Sequence, residues 1–431
     1  MPSLNRSPQP PRDQEPSLSA DQPIANSLER HHEPPFLSRV VLHNYKNISY
    51  CDVSLGNLTF LVGPNGSGKS NFLESLQFVK DAVRFDLETT LTSRNGLPSV
   101  LSNSAGSGAS IGMRLDFSLP SSRLGHYAFL LNPTPGGGHK VLREECFVYG
   151  PNSDHLPAYF KILEGTVDTN VATLTGSEAV GQAELALSHS GHFGDPINQV
   201  GRAIMGMNFY NIVPDAFRKP TNMPSLSKIL AENGGNLPAV LQRLATQRSE
   251  STQRIEEYLT RIVPTVGSVR ARLVGGMQLL EFFSAETSIQ ALDASLMSAG
   301  TLRVLGILTA LFQAPEEPNE QFTVVGIEEP EAAVHPGAAG VLLDALREAS
   351  ETIQVLVTSH SPELLDDKRL APSSIISFDV DQGSTRIGML DEVGASSIRD
   401  RLVTAGELLR VNQVYPNVSV VQSPVDSLFG K

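Results

Sequence analysis

Hydrophobic and polar residues along the chain repeat with two different periods, which predicts where strands and helices lie. Apolar and β-branched residues alternate or cluster as in strands over Leu37–Tyr45, Ile48–Leu55 and Leu58–Val62. Residues 71–83 instead place their apolar side chains on one helical stripe. The first ordered part of the chain is therefore predicted to be three strands, a glycine-rich turn and an amphipathic helix.

The middle of the chain has a different pattern. Short strand-like segments joined by Gly, Pro, Ser and Asp clusters occupy Ile111–Leu119, His126–Leu131, Lys140–Tyr149 and Ala158–Val167. From Ser225 to about Ile262, apolar residues recur at helical spacing. We therefore predict a β-rich region followed by a helical one.

The last third returns to alternating strands and helices. Helices are predicted over Thr301–Phe312 and Gly340–Ala349, and continuous apolar strands over Phe322–Ile327 and Ile353–Thr358. Such alternation implies a parallel sheet covered by helices. The predicted fold class is therefore α/β, with a core that is split by an inserted β-rich and helical middle region.

These patterns also predict the domain boundaries. Residues 1–35 are rich in Pro, Ser, Gln and charge, so we expect a disordered tail. The first half of the core is expected at 36–85, the inserted region at 86–284 and the second half of the core at 285–410. Residues 411–431 are expected to form a C-terminal tail.

Composition narrows the class of protein. A chain of 431 residues, 40% of them hydrophobic, can bury one large core or two modest ones. The net charge of -13 argues against a protein that coats nucleic acid by bulk electrostatics, although it leaves a local basic patch open. No segment has the apolar length of a membrane span or of a signal peptide, so we expect a soluble, cytoplasmic protein with no membrane contact. Cys51 and Cys146 lack CxxC spacing and are expected to be buried free thiols.

Arginines are frequent in and after the helical region, among several glutamates. They are Arg243, Arg248, Arg254, Arg261, Arg270 and Arg272. A mixed charge run is most often a solvated helix face, and a DNA-facing patch is the alternative.

A phosphate-binding loop is predicted between the third strand and the first helix. The sequence Gly63-Pro-Asn-Gly-Ser-Gly-Lys-Ser70 fits the pattern GxxxxGK[ST] in the required strand–turn–helix context. Its glycines allow backbone N–H groups to surround phosphate oxygens, and the helix N-terminus adds a favourable dipole. Lys69 would reach the β- and γ-phosphates, and Ser70 would hold Mg²⁺. The predicted ligands are ATP and Mg²⁺, and the predicted nucleotide contacts are Gly63, Pro64, Asn65, Gly66, Ser67, Gly68, Lys69, Ser70 and Asn71.

Two adjacent carboxylates follow the apolar strand Phe322–Ile327. Ligands of parallel sheets bind at the carboxyl ends of the strands, which is where Glu328 and Glu329 lie. Glu328 would bind Mg²⁺, directly or through water, and Glu329 would orient and polarise the attacking water. The alternative is a solvated acidic turn, which the buried character of the preceding strand disfavours.

A histidine ends the next predicted strand. His360 follows Ile353–Thr358 and would stand beside the acidic pair, where it can hydrogen-bond the γ-phosphate. A lone histidine is more often a structural residue, but this position at a strand end favours a catalytic role.

A further segment, Leu296–Arg303, precedes a predicted helix. Ser298 is a plausible N-cap and Gly300 allows close backbone approach. Taken alone, the segment indicates only a good helix start.

Together, these motifs resemble those of the RecF/SMC/OLD-related AAA-type ATPases, and within them the stand-alone predicted ATPases of bacteria. The resemblance rests on the loop at 63–70, Ser298–Arg303, Glu328-Glu-Pro-Glu331 with His335-Pro336, and Thr358–Leu365. It implies a P-loop NTPase of the ABC type, in which Ser298 and Gly300 contact the γ-phosphate held by a second copy. A homodimer around two ATP, opened by hydrolysis, is the implied assembly. The resemblance also suggests that Lys46 and Asn47 lie near the nucleotide, and an ordinary turn between strands is the alternative.

Some positions differ from the family pattern. The first acidic position, commonly Asp in ABC proteins, is Glu328, and the second signature position is Ala299 where an acidic residue or Gly is frequent. Both leave the rate of hydrolysis open. No Q-loop glutamine is assigned, because Gln77 lies inside the first helix. The stretch beyond His360 is too short for a Toprim nuclease domain with its acidic metal ligands.

Three functions fit these motifs. The first is an ATPase in DNA repair or recombination, or in anti-phage defence, whose inserted region reads a DNA end, a partner protein or both. The second is a nucleotide-gated scaffold that hydrolyses ATP slowly and carries a separate effector. The third is the nucleotide-binding subunit of a transporter, which is disfavoured by the Ser-Ala-Gly-Thr-Leu-Arg sequence and by the long insertion.

Overall fold

The computed structural model describes residues 36–102, 106, 108–150, 156–171, 182–222, 229–285, 291–313, 322–332, 334–381, 384–418 and 425–429. The predicted disordered tail, 1–35, lies outside these residues. The strands are β1 Leu37–Tyr45, β2 Ile48–Ser54, β3 Leu58–Val62, β4 Ile111–Leu119, β5 Arg123–Pro133, β6 His139–Tyr149, β7 Ala158–Leu163, β8 Thr166–Thr169, β9 Met207–Tyr210, β10 Thr221–Asn222, β11 Val266–Val274, β12 Met277–Ser284, β13 Ala291–Asp293, β14 Val324–Glu328, β15 Gln354–Ser359, β16 Ile375–Asp381 and β17 Ser384–Met389. The α-helices are α1 Lys69–Arg84, α2 Leu87–Thr92, α3 Leu97–Val100, α4 Asp195–Met205, α5 Leu237–Gln247, α6 Ser249–Ile262, α7 Ala299–Phe312, α8 Ala339–Ala349, α9 Pro362–Leu365, α10 Glu392–Arg399 and α11 Ala405–Arg410.

A six-stranded sheet in the order β17-β16-β3-β15-β14-β9 lies at the centre of the fold. Strands β16, β3, β15, β14 and β9 are parallel, and β17 runs antiparallel at one edge. The strand that carries the phosphate-binding loop, β3, is therefore separated from the acidic strand β14 by β15 alone. Their carboxyl ends meet at one edge of the sheet, where parallel α/β sheets bind ligands.

Both faces of this sheet are buried, and this explains its continuous apolar strands. Leu61, Val324 and Leu356 point into one core, which also holds the apolar stripe of α1. Their neighbours along the strands point into a second core, where helices α5 to α8 pack. The predicted α/β fold, with helices covering a parallel sheet, is confirmed.

A second, seven-stranded antiparallel sheet has the order β2-β1-β4-β5-β6-β7-β8. Its inner face shares the first core with α1. On its outer face lies part of the predicted C-terminal tail, residues 425–429, where Leu428 is fully buried against Val41 and Leu130. Cys51 in β2 and Cys146 in β6 are both buried, as predicted.

A small sheet of β10, β12, β11 and β13 packs beside α5 and α6. Several arginines of this region pair with carboxylates: Arg254 with Glu257, Arg261 with Asp344, and Arg272 with Glu281. These ion pairs support a solvated charged face rather than a DNA-facing patch. Among the residues that the structure describes, no helix combines the length and apolar character that crossing a membrane requires.

The structure differs from the predicted elements at several places. The segment predicted as one strand over Ala158–Val167 is the hairpin of β7 and β8, because Glu164 and Gly165 adopt positive φ values in a turn between them. The helix predicted from Ser225 begins only at Leu237, because Gly234 adopts a positive φ of 80° in the preceding turn. Residues 225–228 lie outside the described part of the chain. Strand β9 belongs to the central sheet although it lies within 86–284, the region expected to be inserted into the core. It is only four residues long and offers no alternating pattern that identifies it from sequence.

Candidate nucleotide-binding site

The loop at 63–70 joins the end of β3 to the start of α1. Lys69 turns back over it, and its Nζ donates to the carbonyl oxygens of Gly63 at 2.8 Å and Pro64 at 2.9 Å. Gly66 and Gly68 adopt positive φ values of 77° and 101°, which residues with a Cβ rarely accept. Burial lowers the pKa of Lys69, while the charges of Glu329 and Glu331 oppose that shift. The partly buried ammonium group of Lys69 therefore lies beside a loop whose backbone curves around a concave site, and phosphate binding requires both features.

The turn between β1 and β2 supports the loop from outside. Asn47 accepts a hydrogen bond from Nδ2 of Asn71 at 2.7 Å and donates to the carbonyl oxygen of Gly66 at 3.4 Å. A Cβ on Gly68 would lie 3.0 Å from the Asn47 amide. The other residue expected near the nucleotide, Lys46, forms an ion pair with Glu74 at 3.0 Å. Asn47 is thus the member of this turn that contacts the loop.

The first carboxylate, Glu328, ends β14 and reaches the loop. Its Oε2 accepts a hydrogen bond from Oγ of Ser70 at 2.9 Å, across a sequence separation of 258 residues. Burial raises the pKa of Glu328, the charges of Glu329 and Glu232 add to that shift, and the bond from Ser70 opposes it. A cation placed between these two oxygens would compensate the buried charge.

The second carboxylate, Glu329, stands on strained backbone. Its φ of 43° is in the left-handed region, which costs a non-glycine residue roughly 1–2 kcal/mol. Its N–H donates to the carbonyl oxygen and to Oγ1 of Thr358, both at 3.1 Å. Its Oε1 lies 3.4 Å from Nδ1 of His360, which is ion-pair distance when the ring is protonated. The turn therefore directs the Glu329 side chain to His360 while Glu328 faces Ser70.

Two residues at this site were assigned no role from sequence. Glu331 accepts hydrogen bonds through Oε1 from Oγ of Ser359 at 2.7 Å and from the N–H of His360 at 3.2 Å, so it fixes the end of β15. Arg303 donates through Nη2 to the carbonyl oxygens of Glu328 at 3.1 Å and Glu329 at 3.3 Å. A role for Glu331 could have been predicted from the sequence, because it is a third acid beside Glu328 and Glu329. For Arg303, the sequence shows only one charged residue in an otherwise apolar helix.

The segment before α7 has a different environment. Ser298 is the N-cap of α7, as predicted, and its Oγ accepts from the N–H of Thr301 at 3.0 Å. Within the described residues, the Ser298 hydroxyl bonds only to Thr301, and no hydrogen bond joins Ser298 or Gly300 to the loop at 63–70. The structure thus brings together Lys69, Ser70 and the side chains at 328, 329 and 360, and it does not bring Ser298 and Gly300 to them.

The residues present fit ATP and Mg²⁺. Oγ of Ser67 is buried in the loop and has no hydrogen-bond partner within the described chain, so it is available to a phosphate oxygen. The described residues hold no group of three or more His, Cys, Asp or Glu side chains arranged to bind a metal. Mg²⁺ in phosphate-transfer sites takes one or two protein ligands and completes its shell with phosphate and water, and Ser70 with Glu328 suit that need.

Comparisons with known proteins identify a matching family and relatives that are similar over a short stretch. Residues 58–129 and 178–366 match the family described as "AAA domain, putative AbiEii toxin, Type IV TA system". The chain is similar to the DNA replication and repair protein RecF of Aliivibrio fischeri (strain ATCC 700601 / ES114), with 37% identity over 59 residues, and to that of Vibrio campbellii, with 39% over 59 residues. Each alignment covers 14% of this chain, which spans only 16% of the length of these curated relatives.

The fold is similar to that of a solved SMC head. The crystal structure of the SmcHead bound to the C-winged helix domain of ScpA aligns with a TM-score of 0.51 and 12% identity, and the alignment covers 84% of this chain and 100% of that one. At this identity the likeness concerns the fold alone. Since the family match covers more than half of the sequence, the chain belongs to this AAA-domain family, a group of RecF/SMC-like ABC-type P-loop proteins.

Proposed function

We propose that this protein binds ATP with Mg²⁺, hydrolyses it, and does so as a homodimer with two nucleotides between the copies. One observation carries the proposal: Lys69, the Ser70–Glu328 pair, Glu329 and His360 converge at the carboxyl ends of β3, β14 and β15. A cation, two metal-binding oxygens and a carboxylate beside a histidine are the set that phosphoryl transfer to water needs.

Each side chain has a separate task in the proposed reaction. Lys69 holds its charge against the phosphates, and Ser70 with Glu328 holds the metal. A Mg²⁺ ion held by these two side chains would neutralise negative charge on the phosphates. Glu329, whose side chain is 39% exposed, orients a water molecule and accepts its proton. His360, 45% exposed beside it, donates a hydrogen bond toward the phosphate.

The exposed start of α7 supports the dimer. Ser298 and Ala299 are exposed, and Leu296 just before them is 72% exposed. They make no hydrogen bond to the chain's own phosphate-binding loop within the described residues. A second copy of the chain would cover this apolar edge and receive Ser298 and Gly300 against its nucleotide.

For the biological process, we propose only its general class, which is a role on DNA or in defence. The name of the RecF relatives, DNA replication and repair protein, supports a role on DNA in the cytoplasm, where we propose that the protein acts. The description of the family, which includes a type IV TA system, supports a role in defence. A scaffold that hydrolyses slowly stays the alternative, because Glu328 stands where Asp is common.

The test uses Lys69→Ala, Glu329→Gln and, as matched control, Glu392→Gln, whose side chain is 80% exposed. Lys69→Ala is expected to abolish ATP binding in a calorimetric titration. Glu329→Gln is expected to keep ATP binding, lower hydrolysis at least about a hundredfold and accumulate as a dimer by light scattering. Glu392→Gln is expected to behave as the unchanged protein.

Each outcome decides a different part of the proposal. Unchanged hydrolysis in Glu329→Gln removes this residue from the reaction. A Glu329→Gln protein that stays monomeric with saturating ATP and Mg²⁺ contradicts the dimer. A Ser298→Arg protein that still dimerises places the interface elsewhere, because arginine there would block the proposed contact.

A further inference from the structure

A cavity of about 210 Å³ lies between the second half of α1 and strand β9. Gln77, Lys80 and Arg84 line it from α1, and they share one helix face because they are three and four residues apart. Asn208 of β9 and Glu232 of the turn before α5 line the opposite side. The cavity is distinct from the phosphate-binding loop, which lies at the other end of α1.

Two cations, Lys80 and Arg84, line this cavity. Nζ of Lys80 donates to Oδ1 of Asn208 at 3.1 Å, and Asn208 is buried. Among the described residues, neither Lys80 nor Arg84 lies at ion-pair distance from an acid. Burial lowers the pKa of Lys80 to about 8, and the charge of Arg84 one turn away adds to that shift. Lys80 is half-buried and Arg84 is exposed, and two like charges placed together in this way favour a bound anion.

Among the described residues, the one acid that lines the cavity is Glu232. Glu232 accepts a hydrogen bond from Nε2 of Gln77 at 3.0 Å. Its charge acts on two neighbours, since it raises the pKa of Lys80 and also that of Glu328. Among the described residues, the lining of the cavity carries two positive charges, Lys80 and Arg84, and one negative charge, Glu232.

We propose that this cavity binds a small oxyanion such as inorganic phosphate, at a site separate from the phosphate-binding loop. The ammonium of Lys80, the guanidinium of Arg84 and the second amide hydrogen of Gln77 supply donors on one side, as a compact anion with several acceptor oxygens requires. Pockets for drug-sized ligands have volumes of roughly 300–1,000 Å³, so this cavity suits an ion rather than a nucleotide.

The proposal is tested by equilibrium dialysis of the full chain with radiolabelled phosphate, without nucleotide. Lys69→Ala serves as the parent variant, because it removes phosphate binding at the loop. It is expected to keep one phosphate site. Adding Lys80→Gln and Arg84→Gln is expected to weaken that site at least about tenfold, since hydrogen bonds to charged groups are lost. Adding Lys368→Gln and Arg401→Gln instead removes the same charge from exposed positions and is expected to change nothing.

The outcomes separate this site from the proposed ATPase. A Lys69→Ala protein that binds no phosphate overturns the inference, as does equal weakening by the control pair. Failure of Lys69→Ala to lose ATP binding would contradict the proposed function instead. Arg84→Gln alone changes an exposed residue and guards against misfolding of the double variant, and it is expected to weaken phosphate binding in the same direction. Thermal melts with increasing phosphate give a second readout, because a ligand that binds the folded state stabilises it.

Discussion

Arg303 provides the sharpest test of how the site holds its shape. Its guanidinium donates to the carbonyl oxygens of Glu328 and Glu329, and Nη1 donates to that of Ile212 at 3.0 Å. These bonds connect α7 to the backbone of Glu328 and Glu329. Lysine keeps the charge but cannot present a planar fork to several acceptors at once. Arg303→Lys therefore removes the positioning and leaves the net charge.

The size of the effect follows from the strain at Glu329. Its left-handed φ of 43° costs roughly 1–2 kcal/mol, and it persists because neighbouring groups hold it. Without the fork, the backbone relaxes and the correctly placed carboxylate becomes roughly fivefold to thirtyfold less populated. We expect kcat to fall by that factor. We expect the Kd for ATP to change by less than about threefold, because among the described residues Arg303 hydrogen-bonds to the carbonyl oxygens of Ile212, Glu328 and Glu329 and not to the phosphate-binding loop.

The assay compares kcat from phosphate release with Kd from titration by a fluorescent ATP analogue. Arg369→Lys is the matched control, because Arg369 also bonds to several acceptor oxygens but is 66% exposed, and its ion pair with Asp344 contributes little. A kcat that stays within about twofold of the unchanged protein would refute this account of the strain. Equal losses in kcat and ATP affinity would show that Arg303 supports binding rather than the placement of Glu329.

Two further predictions concern the seven-stranded sheet. Glu144 is fully buried, and it accepts hydrogen bonds from Tyr127 and from two backbone N–H groups, while burial raises its pKa to about 7. The protonated Glu144 side chain stabilises the fold fully when the pH is below the pKa that this carboxyl has in the unfolded chain. That stabilisation is lost as the pH rises through 7, and the free energy of unfolding falls by up to about 3 kcal/mol. Urea unfolding should show lower stability at pH 8 than at pH 5.5, and Glu144→Gln should flatten that difference; an unchanged slope would contradict the assignment. Leu428→Ala should expose the C-terminal segment to protease while the urea midpoint of the remainder shifts little, and an unchanged cleavage pattern would show that Leu428 does not anchor the segment.

The phosphate-binding loop could be predicted from sequence because its determinants are contiguous. Gly63 to Ser70 supply the turn, the cation and the hydroxyl within eight residues, and the flanking strand and helix have clear periods. The acidic pair could also be predicted, since an apolar strand ending in carboxylates has few other uses. Both predictions depend only on residues that are close together in the sequence, so the sequence of one chain is sufficient to make them.

The remaining parts of the site depend on contacts between distant segments. β9 joins the central sheet through pairing with β14, although its four residues carry no period of their own. Arg303 and Glu329 are 26 residues apart, and only the packing of α7 makes the arginine reach that carbonyl group. The cavity beside α1 needs residues of three elements. Such features follow from topology, which periodicity alone does not determine.

The sequence Glu328-Glu-Pro-Glu331 shows how the fold divides three neighbouring carboxylates between different tasks. In a regular strand, adjacent side chains point to opposite faces of the sheet. Glu328 and Glu329 could then not both point to the site at the carboxyl ends of the strands. The left-handed φ of Glu329 ends the strand pattern at that residue and directs the next side chains along the edge. Glu328 then bonds to Ser70, Glu329 lies beside His360, and Glu331 accepts from Ser359. Each of the three carboxylates therefore has its own partner. This arrangement requires the left-handed backbone conformation of Glu329, and the strain at that residue is its energetic cost.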